Sequence, residues 1–376
     1  MIKSYKVRLE PNKQQEQQMF FQAGCARHIY NWTLAFQKER YEKGEKFISA
    51  MGMSKYLTAY KKQEGNEWLK DCDSMVLVTA YTDACTAFKN FFREVKKGNV
   101  KSYPRFKSKN KTTPAFAPNY QAIKISENQV KLPKIGIVKL SRKNYIPIVK
   151  KYSNPRVTYD GLHWYISVGV EQEDYKPELN PTVLGVDLGV KDLAIVSDGT
   201  VYKNINKTAE MKKLEKRLKR LQRQVSKKYD MNKDGKVYHK TNNIIKLEKQ
   251  ILKLQHRIRD IRNNYRHTMT HQLVEKKPQK IVIEDLNVKG MMKNKHLSDA
   301  IGKQGFFEIQ RQLQYKTQEY GIELVMADRW YPSSKTCSRC GNIKQDLKLK
   351  DRVYICSKCG LEIDRDLNAA INLSQY

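Results

Sequence analysis

The chain has 376 residues, and 72 Lys and Arg against 39 Asp and Glu leave a formal charge of +33. That length allows two or three domains, 40% hydrophobic residues supply a core, and a positive surplus of this size calls for a polyanion, nucleic acid first. An acidic membrane surface ranks second and nothing supports it, so no membrane partner is expected: no apolar run reaches about 18 residues, and there is no secretory leader, lipidation motif or amphipathic anchor.

The seven cysteines are odd in number and lack a disulfide-framework spacing, which argues for a reducing, cytoplasmic setting. With the charge, that places the chain at the nucleoid. Cys25, Cys72 and Cys85 lie among helix-like apolar residues and read as buried small hydrophobes.

Residues 2–9 alternate as a strand with Tyr5, Val7 and Leu9 on one side, and Pro11-Asn12 ends it. From Lys13 to Tyr41 the apolar residues fall three and four apart, predicting a helix that Gly44 stops. Further helices are predicted over 54–62 and 74–97, the latter capped by Ser74, with Leu77, Tyr81, Ala84, Phe88 and Phe91 as its apolar stripe. Residues 12–97 thus form a helical block.

The stretch 101–111 carries five cations, no acid and interleaved aromatics. A solvated linker is one reading. A nucleic-acid contact through Lys101, Tyr103, Arg105, Phe106, Lys107 and Lys109 suits the charge of the chain better. From 122 to 170 short strands follow, with Asp160-Gly161 as a hairpin turn. Together with the first strand they predict a small β-barrel over 1–11 and 98–172, with the helical block inserted. Residues 173–181 read as a linker.

Val183–Val190 and Leu193–Val196 read as strands. Two long helices over 208–272 follow. The second repeats Ile244, Leu247, Ile251, Leu254, Ile258, Ile261 and Tyr265 in 3-4 alternation. An antiparallel hairpin within the chain is the simplest outcome, and a coiled-coil dimer is its rival. The connecting tip, Asp230 to Gly235, starts like an EF-hand loop but has Thr241 where the bidentate Glu belongs, so it reads as a polar turn. A buried-type strand ends in Glu284-Asp285. A helix with Phe306, Phe307, Ile309 and Leu313 and a strand over 322–327 complete the series.

Cys337, Cys340, Cys356 and Cys359 form C-x2-C-x15-C-x2-C. Two thiolate pairs at this spacing close a tetrahedral S4 shell, so a structural Zn2+ is expected in a ribbon over 329–360. Asp187 and Glu284 each stand in an apolar strand, and Asp366 opens a helix. Singly these read as a turn residue, an ion-pair partner and an N-cap. Together, in so basic a chain, they suggest a carboxylate cluster for Mg2+, two ions acting on a phosphodiester.

Gly185-Val-Asp187-Leu-Gly189, Ile283-Glu284-Asp285-Leu286, Trp330-Tyr-Pro-Ser-Ser-Lys-Thr-Cys337-Ser-Arg-Cys340-Gly and Cys356-x-x-Cys359-Gly…Asp364-Arg-Asp366-Leu-Asn-Ala-Ala-Ile-Asn-Leu together resemble the transposon-encoded TnpB (OrfB) proteins, relatives of the type V CRISPR effectors. The resemblance implies a multidomain α/β and α+β chain. Its nuclease would be RNase H-like (RuvC), formed by 182–328 and 361–376 with the helical hairpin and zinc ribbon inserted. Asp187, Glu284 and Asp366 would be its three carboxylates, the D-x-D-x-N pattern favouring Asp366 over Asp364. It further implies an RNA-guided, Mg2+-dependent DNA endonuclease acting as a monomeric ribonucleoprotein. A guide RNA from the transposon end pairs with double-stranded target DNA beside a short DNA motif. A nuclease-inactive RNA-guided repressor and a strand-transferring transposase are the alternatives. The intact triad and the Asp, Glu, Asp order speak against them.

Overall fold

The computed structural model describes residues 1–99, 103–348 and 351–376. Chain contacts separate two units, Met1–Glu173 and Asp174–Tyr376.

In the first unit β1 (Ile2–Glu10) leads into α1 (Lys13–Glu42), α2 (Ala50–Tyr60) and α3 (Ser74–Lys96). The short strands β2 (Ala115–Phe116), β3 (Lys124–Ile125), β4 (Gln129–Leu132) and β5 (Gly136–Leu140) follow, then β6 (Ser153–Tyr159) and β7 (Trp164–Glu171). Asn12 ends β1 and starts α1 through a reciprocal capping box with Gln15. Helix α2 starts four residues ahead of the sequence reading because Ser49 caps it. The cap of α3 is Asp73, not Ser74. One Asp73 oxygen accepts from Met75 N and the other from Asn119 N, both at 3.0 Å. A serine hydroxyl has one oxygen and cannot serve both.

Among the described residues the strands form an antiparallel sheet in the order β2-β6-β7-β1-β5-β4-β3. This corrects the barrel expectation: the sheet stays open, with β2 and β3 as edges. Those edges are two residues long each, too short to close a ring of backbone hydrogen bonds. Val7, Leu9, Val138 and Ile166 from the sheet join Met19, Ile29 and Leu77 from the helices in one core. Cys25, Cys72 and Cys85 are buried, and Cys72 Sγ donates to Gln22 Oε1 at 3.0 Å.

The second unit is built on β8 (Asn180–Leu188), β9 (Asp192–Val196), β10 (Val201–Lys203), β13 (Pro278–Glu284) and β14 (Glu323–Ala327). Their order is β10-β9-β8-β13-β14. The first three pair antiparallel, and β13 pairs parallel to both its neighbours. Alternation along each strand gives the sheet two faces. On one, Val186, Leu188, Ile281 and Ile283 meet the helices α5 (Asn242–Glu275) and α8 (Phe306–Tyr320). On the other, Val183, Val282 and Ala327 meet Leu373 of the helix α9 (Arg365–Ser374).

Helix α4 (Ala209–Met231) packs against α5 through Met211, Leu214, Leu221, Leu254 and Ile258. The heptad seam is therefore used within the chain as a hairpin. Its tip is a small ladder of β11 (Lys233–Asp234) and β12 (Val237–Tyr238). The short helices α6 (Val288–Met291) and α7 (Ser298–Gln304) precede α8, on which Phe306 is buried and Phe307 exposed. The ribbon strands β15 (Val353–Ile355) and β16 (Glu362–Asp364) pair antiparallel. No helix is long and apolar enough to cross a membrane among the described residues.

Candidate active site

Asp187 and Glu284 are neighbours by register. Strands β8 and β13 run parallel with Val186 opposite Ile283, so the next residue of each strand carries a carboxylate on the same face, about 5 Å apart across the ladder. This is the face that α9 covers. Gly185, two residues before Asp187, lets it do so: a Cβ there would stand 2.0 Å from Ala370 O and 2.4 Å from Ser374 N. With no side chain between them, helix and strand touch through their backbones. That close approach brings Asp366, in the first turn of α9, toward Asp187.

The electrostatics register this convergence. Asp187 holds its proton well above the usual carboxylate range, first because it is desolvated and then because Glu284 and Asp366 oppose its charge. The three carboxylates are not drawn around a single point. Glu284 accepts from Ser333 Oγ at 2.6 Å, and Asp366 faces Arg352 Nη1 at 3.9 Å. Like charges in one cleft separate and take separate partners.

The neighbouring acids have other roles. Asp285 accepts from Arg329 Nη2 at 2.6 Å. Asp364 is the N-cap of α9, accepting from Asp366 N and Leu367 N at 2.9 and 3.1 Å. The N-cap reading of Asp366 therefore falls to Asp364, which frees the Asp366 side chain to face the cleft.

Sequence reasoning assigned no role to the polar residues that lock this arrangement. Asn368, fully buried, accepts from Ser338 N at 3.0 Å and donates to Thr336 O at 2.7 Å. Asn372 donates to Ser333 O and Thr336 O, both at 2.7 Å. Tyr331 OH donates to Asn372 O at 3.1 Å. The loop before the ribbon is thus stitched to α9, and its Ser333 reaches Glu284. A second chain of bonds reaches the loop after Asp187. Gln304 donates to Gly189 O at 3.0 Å and Asn206 to Gln304 Oε1 at 3.4 Å. Arg262 of α5 donates to Asn206 Oδ1 at 2.8 Å. Spacing of Asn and Ser in the last motif was the one visible signal for the first set. Nothing local marks Gln304.

The four ribbon sulfurs all lie within 4.8 Å of one another, the one such gathering of metal-binding side chains among the described residues. Cys337–Cys359 and Cys340–Cys356 stand at 3.6 Å. A tetrahedron with Zn–S near 2.3 Å has edges of about 3.8 Å, so the donor set fits Zn2+. Each knuckle turns on a glycine with positive φ, Gly341 at 71° and Gly360 at 69°. The Cys359 N–H, followed by that of Lys358, points at the Cys356 sulfur and lowers that thiol's pKa, while that of Cys340, despite a backbone bond from Asn342, is pushed up by desolvation and by the other three sulfurs.

The basic stretch divides. Lys101 lies outside the described residues. Lys107 is committed to the fold: its backbone N–H donates to Asn31 Oδ1 at 2.8 Å and its ammonium sits 3.7 Å from the Tyr30 ring centre. Tyr103 packs edge-on against Phe91 at 5.2 Å. Arg105, Phe106 and Lys109 are exposed.

Three family models match the chain: "Helix-turn-helix domain" over residues 1–46, "Probable transposase" of the OrfB/IS605 type over 165–295, and "Cas12f1-like, TNB domain" over 306–373. A protein of Escherichia coli (strain K12) named "Putative RNA-guided DNA endonuclease InsQ" is 32% identical, over 99% of this chain and 91% of its own length. The chain belongs to the TnpB (OrfB) family. A Streptomyces pristinaespiralis relative, "Putative RNA-guided DNA endonuclease", is 30% identical over 99% of this TnpB chain and 88% of its own. The type V effector "CRISPR-associated endodeoxyribonuclease Cas12f1" of Sulfoacidibacillus thermotolerans is 28% identical over 56% of this chain and 50% of its own. Among solved structures, a Cas12f1–sgRNA–target DNA complex matches with TM-score 0.55 at 15% identity, over 100% of this chain and 98% of the other. This TnpB chain therefore has a Cas12-like fold of mixed α and β structure.

Proposed function

We propose that the chain is a transposon-encoded, RNA-guided DNA endonuclease whose cutting centre is Asp187, Glu284 and Asp366. One observation carries the reading: in a strongly basic chain Asp187 and Glu284 stand side by side at the ends of adjacent strands, and Asp366, on the helix over that face, is near enough to oppose the charge of Asp187. Membership of the family, and relatives named as RNA-guided DNA endonucleases over nearly the whole length, support it. In this reading 182–328 and 361–376 form an RNase H-like (RuvC) nuclease, with 208–272 as its hairpin and 329–360 as a zinc ribbon. Residues 12–97 and the open sheet of 1–11 and 98–172 read a short DNA motif, with Arg105, Phe106 and Lys109 available to phosphates and bases. The working form is a monomeric ribonucleoprotein with a guide RNA from the transposon end and a double-stranded DNA target.

The donor chemistry of the centre is carboxylate oxygen, which fits a hard divalent cation such as Mg2+. Bound there, Mg2+ would supply charge neutralisation at the phosphodiester and an acidified water. The chain's own part is positional. Ser333 fixes the Glu284 carboxylate, and Asp364 caps α9 so that Asp366 faces the cleft. Gly185 sets the distance between α9 and β8. The test is to purify the protein with its RNA, sequence that RNA, and offer DNA matched to it in Mg2+. Cleavage that Asp187→Ala or Glu284→Ala abolishes, with target binding kept, is the expected result. Binding without cleavage by the wild type would favour a repressor, and persistence of cutting in both variants would refute the site.

A further inference from the structure

We propose that Trp330 is a stacking platform for an unpaired nucleobase of the DNA strand entering the carboxylate cluster. The proposal rests on the nuclease reading above and names a binding contact for that same site.

Trp330 is 85% exposed, while Trp164 is 1% exposed and Trp32 and Trp68 are partly buried. A large indole left in water forfeits the burial that tryptophan ordinarily gains in a fold. It is not exposed by looseness, because its backbone is pinned on both sides. Arg329 before it donates to Asp285 Oδ2 at 2.6 Å and to Asp285 O at 3.3 Å. Its own N–H donates to Asp328 Oδ1 at 2.8 Å. After it, Tyr331 bonds to α9 and Ser333 bonds to Glu284. The anchors on either side thus include Glu284, the last residue of β13, and Asp285, the residue after it.

The position follows from chain geometry. Ser333 is three positions after Trp330, so their Cα atoms stand at most about 11 Å apart, the length of about three stacked nucleotides. A base resting on the indole therefore belongs to the same stretch of strand whose phosphate reaches Glu284. The chain's charge of +33 favours a polyanion over an apolar partner, although Arg329, next in sequence, and Arg352 are already paired with Asp285 and Asp366. Aromatic faces accept any base, so the contact holds the strand without reading its sequence.

The test uses the ribonucleoprotein with Trp330→Leu and Trp330→Phe. Leu keeps apolar bulk without a π-face, and Phe restores one. Trp330→Leu is expected to raise the DNA concentration for half-maximal cleavage about 5- to 100-fold, with unchanged melting temperature, and Trp330→Phe to recover most of the loss. In an Asp187→Asn background, which holds DNA uncut, adding target DNA should quench tryptophan fluorescence in the Trp330 protein and not in Trp330→Phe. Unchanged half-maximal concentration in Trp330→Leu, or equal quenching with and without Trp330, overturns the proposal. So does a change of oligomeric state in Trp330→Leu with quenching intact, which would assign the indole to a protein interface. A wild type that quenches but never cuts refutes the nuclease reading and leaves the stacking contact standing.

Discussion

Gly185→Ala tests how closely the cleft depends on one missing side chain. The new Cβ would lie 2.0 Å from Ala370 O, 2.4 Å from Ser374 N and 2.9 Å from Leu373 Cβ. Two of these are backbone atoms of a hydrogen-bonded helix and cannot swing aside. A carbon and a carbonyl oxygen settle at about 3.4 Å, so α9 must back off by about 1.4 Å and take Asp366 with it. Overpacking of this kind costs about 1–3 kcal/mol, and a misplacement of about 1 Å in a catalytic group costs about 100-fold in rate. The assay pairs single-turnover cleavage of guide-matched DNA with a melting curve and zinc content. Gly199→Ala is the control. Gly199, unlike Gly185, has a backbone angle that disfavours side chains, but its Cβ would meet nothing within 4 Å. It should lose about 1 kcal/mol of stability and keep its cleavage rate. Wild-type cleavage and melting in Gly185→Ala would show that α9 does not set the position of Asp366 as argued.

Cys356→Ser should lower bound zinc from one equivalent toward none and lower the melting temperature, measured by metal analysis and calorimetry. Asn368→Ala removes the side-chain partner of Ser338 N and one of two donors to Thr336 O, which keeps Asn372. It should cost about 1–3 kcal/mol in denaturant unfolding and slow cleavage as well. Asp187→Asn should abolish cutting yet raise the melting temperature of chelator-treated protein at neutral pH. The wild-type carboxyl has a raised affinity for its proton. Its favourable contribution is complete below the ordinary carboxylate range and is lost as pH rises through its folded value. Glu308 runs the other way. Arg311 donates to it and holds it down at about 2, from an ordinary 4.5. Its contribution is present above 4.5 and fades as pH falls toward 2, so Glu308→Gln should flatten the acid limb of a melting-temperature profile.

Periodicity made the frame of the chain legible. Strands β8 and β13 are apolar on both faces because helices cover both, and the α4–α5 seam repeats every three and four residues because each helix buries the other. The cysteine pairs were legible because a tetrahedral S4 shell would demand that spacing, and the four sulfurs do gather. What stayed hidden depended on partners distant in sequence. Ser333, Asn368 and Asn372 look like ordinary loop and helix residues until the fold gives each a buried backbone group to satisfy. Asp364 and Asp366 could be told apart by pattern, but the physical reason, that one caps the helix and leaves the other free, needed the helix end. Lys107 read as a phosphate ligand because nothing nearby betrays that Tyr30 and Asn31 hold it. The closed barrel failed for a related reason: alternation reveals strands, and the pairing of the outermost two is a matter of their length.

Strand β16 pairs with β15 and so carries the ribbon past the expected boundary at 360, which makes Asp364 at once its last residue and the cap of α9. Ribbon and nuclease helix therefore share a residue, with no linker at which one could swing against the other. Any phosphate that the ribbon's lysines grip is held at a set remove from Asp366, one that thermal motion of a hinge cannot blur. In that sense the ribbon is a gauge block, and a change in its length between Cys359 and Asp364 should shift where along the strand the cut falls.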